Sequence, residues 1–251
     1  MKYRTLIISD THIGSDESNF EGLLNFIREN DSDTLILNGD IIDIKYLKSL
    51  KSKFNAFELI DQIVRIKKDT KIIYLKGNHD FDIEDYISSY DNLEIRDTYE
   101  HLGLDNKKYF ALHGHKYIFN NFVADNRITE RFISWVITIL NKLKKVHSGR
   151  IFKRDKQLKK GLEYYTLSDD SRSFIKLGLK IISSYREKIK ITCKKLSVDG
   201  IICGHIHLPE IKTISGKFYM NSGDFVENFS ALVENYEGKW KIIYNYENKI
   251  K

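Results

Sequence analysis

Five short apolar runs in this chain each stop at a cluster of ionisable residues, and no other feature constrains the fold as tightly. Thr5–Ile8 runs into Ser9-Asp10-Thr11-His12, and Thr34–Leu37 into Asn38-Gly39-Asp40-Ile41-Ile42-Asp43. Ile72–Leu75 precedes Gly77-Asn78-His79-Asp80, Tyr109–Leu112 precedes His113-Gly114-His115, and Ile201–Cys203 precedes Gly204-His205-Ile206-His207. Short apolar runs bounded by Gly, Asn and Asp read as buried strands. In an open α/β sheet, ligands sit outside the carboxyl ends of the strands, which is where these polar groups collect.

Helical spacing fills the gaps between the first three runs. Phe20, Leu23, Leu24, Phe26 and Ile27 recur at helical intervals within Phe20–Glu29, as do Ala56, Leu59, Ile60, Ile63 and Val64 within Ala56–Ile66. Strand–helix alternation predicts βαβ units with right-handed crossovers. Leu93–Ile95 and Lys108–Leu112 read as further strands of that sheet. After Gly200–Cys203 come Glu210–Ile214, Lys217–Asn221, Ala231–Glu234 and Lys239–Tyr246, with Ser215-Gly216 and Glu237-Gly238 in the turns. That close spacing predicts antiparallel hairpins.

A different pattern occupies residues 116–196. Phe122–Leu143 and Arg172–Leu196 carry long aliphatic runs that predict helices, joined through a basic connection, Lys153–Lys160. The chain therefore divides into a core, residues 1–115 and 197–251, and a basic helical insertion, residues 116–196. Of the formal charge of +6, the insertion carries 20 Lys/Arg against 7 Asp/Glu, which leaves the core acidic. A basic segment on an acidic body points to an anionic partner or substrate, or to a solvated lysine-rich face. Phe132–Leu140 is apolar except for Ser134 and Thr138, and Lys142, Lys144 and Lys145 flank it. Such a helix suits peripheral contact with an anionic bilayer through residues 122–196, and equally suits packing onto the body.

With 41% hydrophobic and 30% charged residues, the composition is that of a soluble globular protein. Its two cysteines, Cys193 and Cys203, are too few for a disulfide framework and fit a reducing compartment. The apolar run Leu6–Ile8 stops at Ser9-Asp10, unlike a signal peptide. No apolar stretch reaches the length of about 18 residues that a spanning helix needs. The expected location is cytoplasmic, with the insertion able to reach the inner face of the membrane.

Six of the eight histidines lie in the strand-end motifs, and only His101 and His147 fall outside them. Imidazole and carboxylate together suit Zn, Fe or Mn. Asp10-x-His12 and His205-x-His207 would each place two side chains on one side if the backbone were extended there. Cys203, inside a strand with no partner thiol in a motif, reads as core.

In the order D-x-H, G-D-x-x-D, G-N-H-D, H-G-H and G-H-x-H, the five motifs resemble the calcineurin-like metallophosphoesterase superfamily from Asp10 to His207. The resemblance implies an α/β fold in which two mixed β-sheets pack as a sandwich flanked by helices. It also implies two divalent metal ions, Mn²⁺ first with Fe or Zn as alternatives. One would take Asp10, His12, Asp40 and His207, and the other Asp40, Asn78, His113 and His205. A hydroxide shared by the ions would attack phosphorus in line with the leaving oxygen. His79, held and charged by Asp43, would face the phosphate or the leaving group, and Asn78 would supply a neutral oxygen near the substrate. Asp43 also reads as a helix N-cap.

The stretches Gly200–His207, Met220–Asn228 and Ala231–Glu234 are similar to a bacterial branch described as UDP-2,3-diacylglucosamine pyrophosphohydrolases of lipid A synthesis. The implied substrate is that nucleotide sugar, or a related small-molecule or lipid-linked phosphate, and the insertion would form a lid. Asp224 would orient a ligand or the substrate, or hold its turn. Two residues depart from the branch. His115 stands where Asp is usual, and His79 stands where Arg is usual, which fits a poorer leaving group than UMP. A nuclease or nucleotide phosphodiesterase is the second reading, with the basic insertion tracking phosphates. Against it, the basic residues are interleaved with aliphatic runs rather than with a base-stacking stripe. A non-catalytic scaffold of the same fold is the third, and the presence of all seven ligand residues argues against it.

Overall fold

The computed structural model describes residues 1–16, 18–44, 47, 57–87, 89–115 and 187–245. The expected helix Phe122–Leu143, the connection Lys153–Lys160, the first part of Arg172–Leu196 and the membrane-contact segment therefore lie outside the described residues. Residues 187–196 are helical, as their spacing predicts.

Two mixed sheets face each other. One contains β1 (Lys2–Ile8), β2 (Asp31–Asn38), β3 (Lys71–Leu75), β4 (Leu93–Arg96), β10 (Ser230–Glu234) and β11 (Trp240–Tyr244), in the order β11-β10-β1-β2-β3-β4. The other contains β5 (Thr98–Leu102), β6 (Lys108–Leu112), β7 (Gly200–Cys203), β8 (Glu210–Ile214) and β9 (Lys217–Asn221), in the order β5-β6-β7-β9-β8. β1 to β4 are mutually parallel, and so are β6 and β7. The two glycine turns join antiparallel pairs, β8–β9 and β10–β11, as expected.

Alternation along the strands builds the layers. Leu6, Ile8, Leu35, Leu37, Ile72 and Tyr74 face outward, where α1 (Phe20–Glu29) and α2 (Phe57–Ile66) cover them with Leu23, Leu24, Ile27, Leu59, Ile60 and Ile63. The intervening residues Ile7, Ile36, Ile73 and Leu75 face inward onto Tyr109, Ala111, Ile202 and Met220 of the second sheet. On the far side, Ile201, Cys203 and Tyr219 pack against Ile189 and Cys193 of the helical residues 187–196. Each fully buried Leu or Ile contributes about 1.5–3 kcal/mol, so the three interfaces hold the sandwich.

One expectation changes. Leu93–Ile95 and Lys108–Leu112 are both expected to continue the sheet; β4 does so beside β3, but β6 belongs to the second sheet. Between them lies β5, a strand with no sequence signal, because only His101 of Thr98–Leu102 is fully buried. Among the described residues no helix is long and apolar enough to cross a membrane.

Candidate metal centre

The carboxyl ends of β1, β2, β3, β6 and β7 meet at one end of the sandwich, and backbone hydrogen bonds knit the turns together there. The amides of Asp10, Thr11, His12 and Ile13 donate to the carbonyls of Gly39, Asp40, Asp40 and Ile41 at 2.9–3.1 Å. Asp43 N–H returns to Ile13 O at 2.9 Å, and Gly204 N–H bonds His113 O across the second sheet at 3.0 Å. Of the carboxylates, Asp10 joins the two sheets and Asp40 ties together two turns of the first sheet. Asp10 Oδ2 accepts the His205 N–H at 2.9 Å, and Asp40 Oδ1 accepts the His79 N–H at 2.8 Å. A β-carbon at Gly204 would overlap Asp10 Oδ2 and Ser9 Oγ, and one at Gly77 would overlap Asp40 Oδ1, so glycine is required at both close approaches.

Asp10-x-His12 and His205-x-His207 are not extended, which corrects the reason for which their side chains were expected to share a side. Asp10, His12, Asp40, His205 and His207 all have left-handed φ values, 54°, 46°, 52°, 65° and 50°. Each such residue costs about 1–3 kcal/mol and persists only where its surroundings hold it. The turns send His205 and His207 to different groups.

Three groups of ligand atoms result, each lying within 4.8 Å: Asp10 with His12 and His207, Asp40 with His113 and His205, and His12 with Asp43 and His79. His207 Nε2 is 3.2 Å from Asp10 Oδ1, and His113 Nε2 is 3.0 Å from Asp40 Oδ2. Neither Asp10 Oδ1 nor His113 Nε2 has hydrogen-bond alignment in these contacts. The ligand atoms of each group lie within 4.8 Å of one another, and carboxylate with imidazole is a donor set that fits a divalent cation. His113 Nδ1 bonds Asn38 O at 3.0 Å, which directs Nε2 inward, as in metal-ligating histidines. His79 Nδ1 lies 3.2 Å from Asp43 Oδ1, and the His79 and His12 rings meet edge to face at 4.8 Å.

Asn78 is buried in the turn ahead of His79. His115 sits with its ring 5.6 Å from that of His113 and 6.3 Å from that of His205. Asp224 is fully buried: its Oδ1 accepts the N–H groups of Val226, Glu227 and Asn228, and its Oδ2 accepts the Asn228 amide. That same Asn228 amide also reaches His207 O at 3.0 Å, so the loop braces the turn carrying His207.

The metal-free electrostatics follow from this packing. Burial alone would raise the Asp10 carboxyl, but the His207 and His113 imidazoles hold it at about 2. Asp40 is driven well below the carboxylate range against its own burial, by His113 first. Conversely, burial would lower His113 and His207, yet Asp40 and Asp10 raise His113 to about 10, and Asp10 raises His207 to about 9. His12 goes the other way, lowered chiefly by burial.

Asp80 received no role from the sequence, although it ends the Gly77-Asn78-His79-Asp80 motif. It is fully buried, and its oxygens accept the N–H groups of Gly77 at 2.7 Å, Ile41 at 2.8 Å and Asp40 at 3.2 Å, and the Tyr74 hydroxyl at 2.5 Å. It thus ties the Asp40 turn to the His79 turn. Burial, then the charge on Asp40, pushes Asp80 up to about 6. The only available signal was an acidic residue beside a glycine turn between apolar runs.

Comparison with curated protein sequences found no match. Among solved structures, a single mutant of Vps29 from Entamoeba histolytica is 17% identical with a TM-score of 0.44, covering 95% of this chain and 96% of that one. A novel archaeal phosphodiesterase is 15% identical, TM-score 0.44, covering 95% and 98%. YfcE, a phosphoesterase from E. coli, is 13% identical, TM-score 0.45, covering 95% and 97%. The Calcineurin-like phosphoesterase family matches residues 3–209, from β1 through all five motifs. The chain belongs to the calcineurin-like phosphoesterase family.

Proposed function

We propose that this chain is a dinuclear-metal hydrolase of phosphoesters or pyrophosphates. The observation that carries the reading is the pair of carboxylate–imidazole groups built by Asp10, His12 and His207 and by Asp40, His113 and His205. Asp10, His12 and His207 would hold one ion and Asn78, His113 and His205 the other, with Asp40 shared. Two divalent ions, manganese as the first choice, supply an activated water and neutralise charge on the phosphoryl oxygens.

The chain's own residues do the rest. Asp10 and Asp40 each commit one oxygen to a backbone N–H and keep the other for the centre. Asp43, 3.2 Å from His79 Nδ1, orients that imidazole and leaves Nε2 for the substrate. A protonated His79 can bind a phosphoryl oxygen or give its proton to the departing oxygen, an effect typically worth about 10²–10⁴-fold. Proton donation helps most with an alkoxide leaving group, so His79 supports a sugar, glycerol or similar ester as substrate. UDP-2,3-diacylglucosamine, which would release UMP, needs that proton less and is the second candidate.

A manganese-supplemented screen tests this with UDP-2,3-diacylglucosamine, bis-p-nitrophenyl phosphate, p-nitrophenyl phosphate and single-stranded DNA. Hydrolysis of one or more of the first three, abolished by a chelator and restored by Mn²⁺, is expected. Cleavage of the DNA alone would replace the proposal with the nuclease reading. Inertness toward all four would remove it.

A further inference from the structure

Strand alternation places Tyr74 of β3 in the outward layer, among the aliphatic side chains that meet α1 and α2. It is fully buried, so its hydroxyl has to find a partner inside the protein. Packing alone would be served by phenylalanine, which brings no hydroxyl to satisfy. The partner is Asp80 Oδ2 at 2.5 Å, a shorter contact than any of the amide bonds to that carboxylate. The same Oδ2 accepts the Ile41 N–H at 2.8 Å, while Oδ1 accepts those of Gly77 at 2.7 Å and Asp40 at 3.2 Å. Leu37 lies beside Tyr74 in the register of β2 and β3, and β2 runs from there into the Asp40 turn. The hydroxyl therefore links a regular strand to the backbone of a residue held at a left-handed φ of 52°. Asp40 in turn gives Oδ1 to the His79 N–H at 2.8 Å and turns Oδ2 toward His113 Nε2 at 3.0 Å.

We propose that Tyr74 is a positioning residue for the shared carboxylate, Asp40, of the two-ion centre. The inference rests on the proposed two-ion hydrolase for the function it serves. Tyr74 lies on the helix-covered face of the sheet, behind the centre, and acts through Asp80. The other described donors to Asp80 all sit in the turns that it ties together, so the tyrosine refers this carboxylate to a regular strand. Without the hydroxyl, Asp80 keeps its amide bonds but is free to rotate, and the Asp40 turn moves with it. Hydrogen bonds to a carboxylate are among the stronger ones, and losing an outer partner of a metal ligand costs about 10–100-fold in metal affinity or activity. Tyr109 supplies the matched contrast. It too is fully buried and donates to an aspartate, Asp105 Oδ2 at 2.7 Å, but the other bonds of Asp105 go to Lys107.

The test compares Tyr74→Phe with Tyr109→Phe on the full-length chain. Three measurements are made: calorimetric titration with manganese, hydrolysis of bis-p-nitrophenyl phosphate at saturating manganese, and thermal denaturation of the metal-free protein. Both variants should have a lower Tm. Only Tyr74→Phe should bind manganese about 10–100-fold more weakly and lose kcat to a like extent, with KM unchanged. The double variant Tyr74→Phe/Asp80→Asn should bind manganese no worse than Asp80→Asn alone, since both changes break one chain of contacts. Wild-type manganese affinity and kcat in Tyr74→Phe would overturn the role of Tyr74 and leave the two-ion centre standing. Equal losses in the two phenylalanine variants would overturn it as well, by showing a general loosening of the fold. Additive losses in the double variant would overturn the route through Asp80. A wild-type chain that binds no manganese would overturn the two-ion reading and this one with it.

Discussion

Two buried acid–imidazole clusters sit inside the same sandwich, and they are built on opposite terms. Away from the metal centre, Glu234 of β10, His101 of β5 and Thr5 of β1 meet between the sheets. Glu234 Oε2 faces His101 Nε2 at 2.8 Å and accepts the Thr5 hydroxyl at 3.2 Å, while its Oε1 accepts the Leu104 N–H at 2.7 Å. Both carboxylate oxygens are thus satisfied by the protein, and all three side chains come from regular strands. At the strand ends, Asp10 and Asp40 give one oxygen to a backbone N–H and turn the other toward an imidazole, from residues in left-handed turns. A closed cluster stabilises a fold. An open one, held by strained backbone, is ready to take a ligand.

Removing Asp40 should separate the two most sharply. Asp40→Asn should lower kcat/KM by about 10³-fold or more, since metal ions contribute several kcal/mol to such transition states. Bound manganese, measured by elemental analysis, should fall with it. Full manganese content in that variant would mean that the open cluster is no more a metal centre than the Glu234 cluster is.

His79→Ala should reduce kcat by about 10²-fold or more while metal content stays near wild type. Loss of both ions together would instead make His79 part of the scaffold of the centre.

Proton linkage gives the next contrast. In the metal-free chain His113 and His207 titrate at about 10 and about 9, above their ordinary 6.5, so both are protonated at neutral pH. Their pairing with Asp40 and Asp10 stabilises the metal-free fold fully below pH about 6.5 and is lost as pH rises through 9 to 10. Thermal denaturation of metal-free protein should therefore show Tm falling across that window. Ligation needs neutral imidazoles, so manganese binding at pH 7.5 should release about two protons, read by calorimetry in buffers of different ionisation enthalpy. A release near zero would show that the imidazoles are not ligands.

The smallest effect belongs to the closed cluster. Glu234→Gln should destabilise the fold by about 1–3 kcal/mol in urea unfolding, because it weakens a buried charged acceptor. Manganese stoichiometry should not change. A lost ion would show that the two clusters are coupled through β1 and β10.

Much of this architecture is written in local pattern. Apolar runs such as Leu35-Ile36-Leu37, short and ended by Gly39 and Asp40, read as buried strands, and the amphipathic spacing of Leu23, Leu24 and Ile27 commits α1 to the sheet. The donor types were legible too, because imidazoles and carboxylates gather beside glycine at strand ends, while the set of seven candidate ligands, Asn78 among them, rested on the resemblance to the family. Other features depended on where distant segments come to rest. β5 forms because Glu100 and His101 find the backbone of β6, although Thr98–Leu102 has no apolar face of its own. The left-handed turns at Asp10, His12, His205 and His207 are held by contacts with one another, with the Asp40 turn and with the loop 224–228. Asp80 became visible only when its carboxylate met amides from Asp40 and Ile41, some forty residues earlier in the chain. Side-chain chemistry and hydrophobic period are properties of neighbours in sequence, so the sequence alone determined the apolar strands and the types of donor at their ends. Strain, shared carboxylates and a third ligand group depend on contacts between remote segments, and only the tertiary structure decided them.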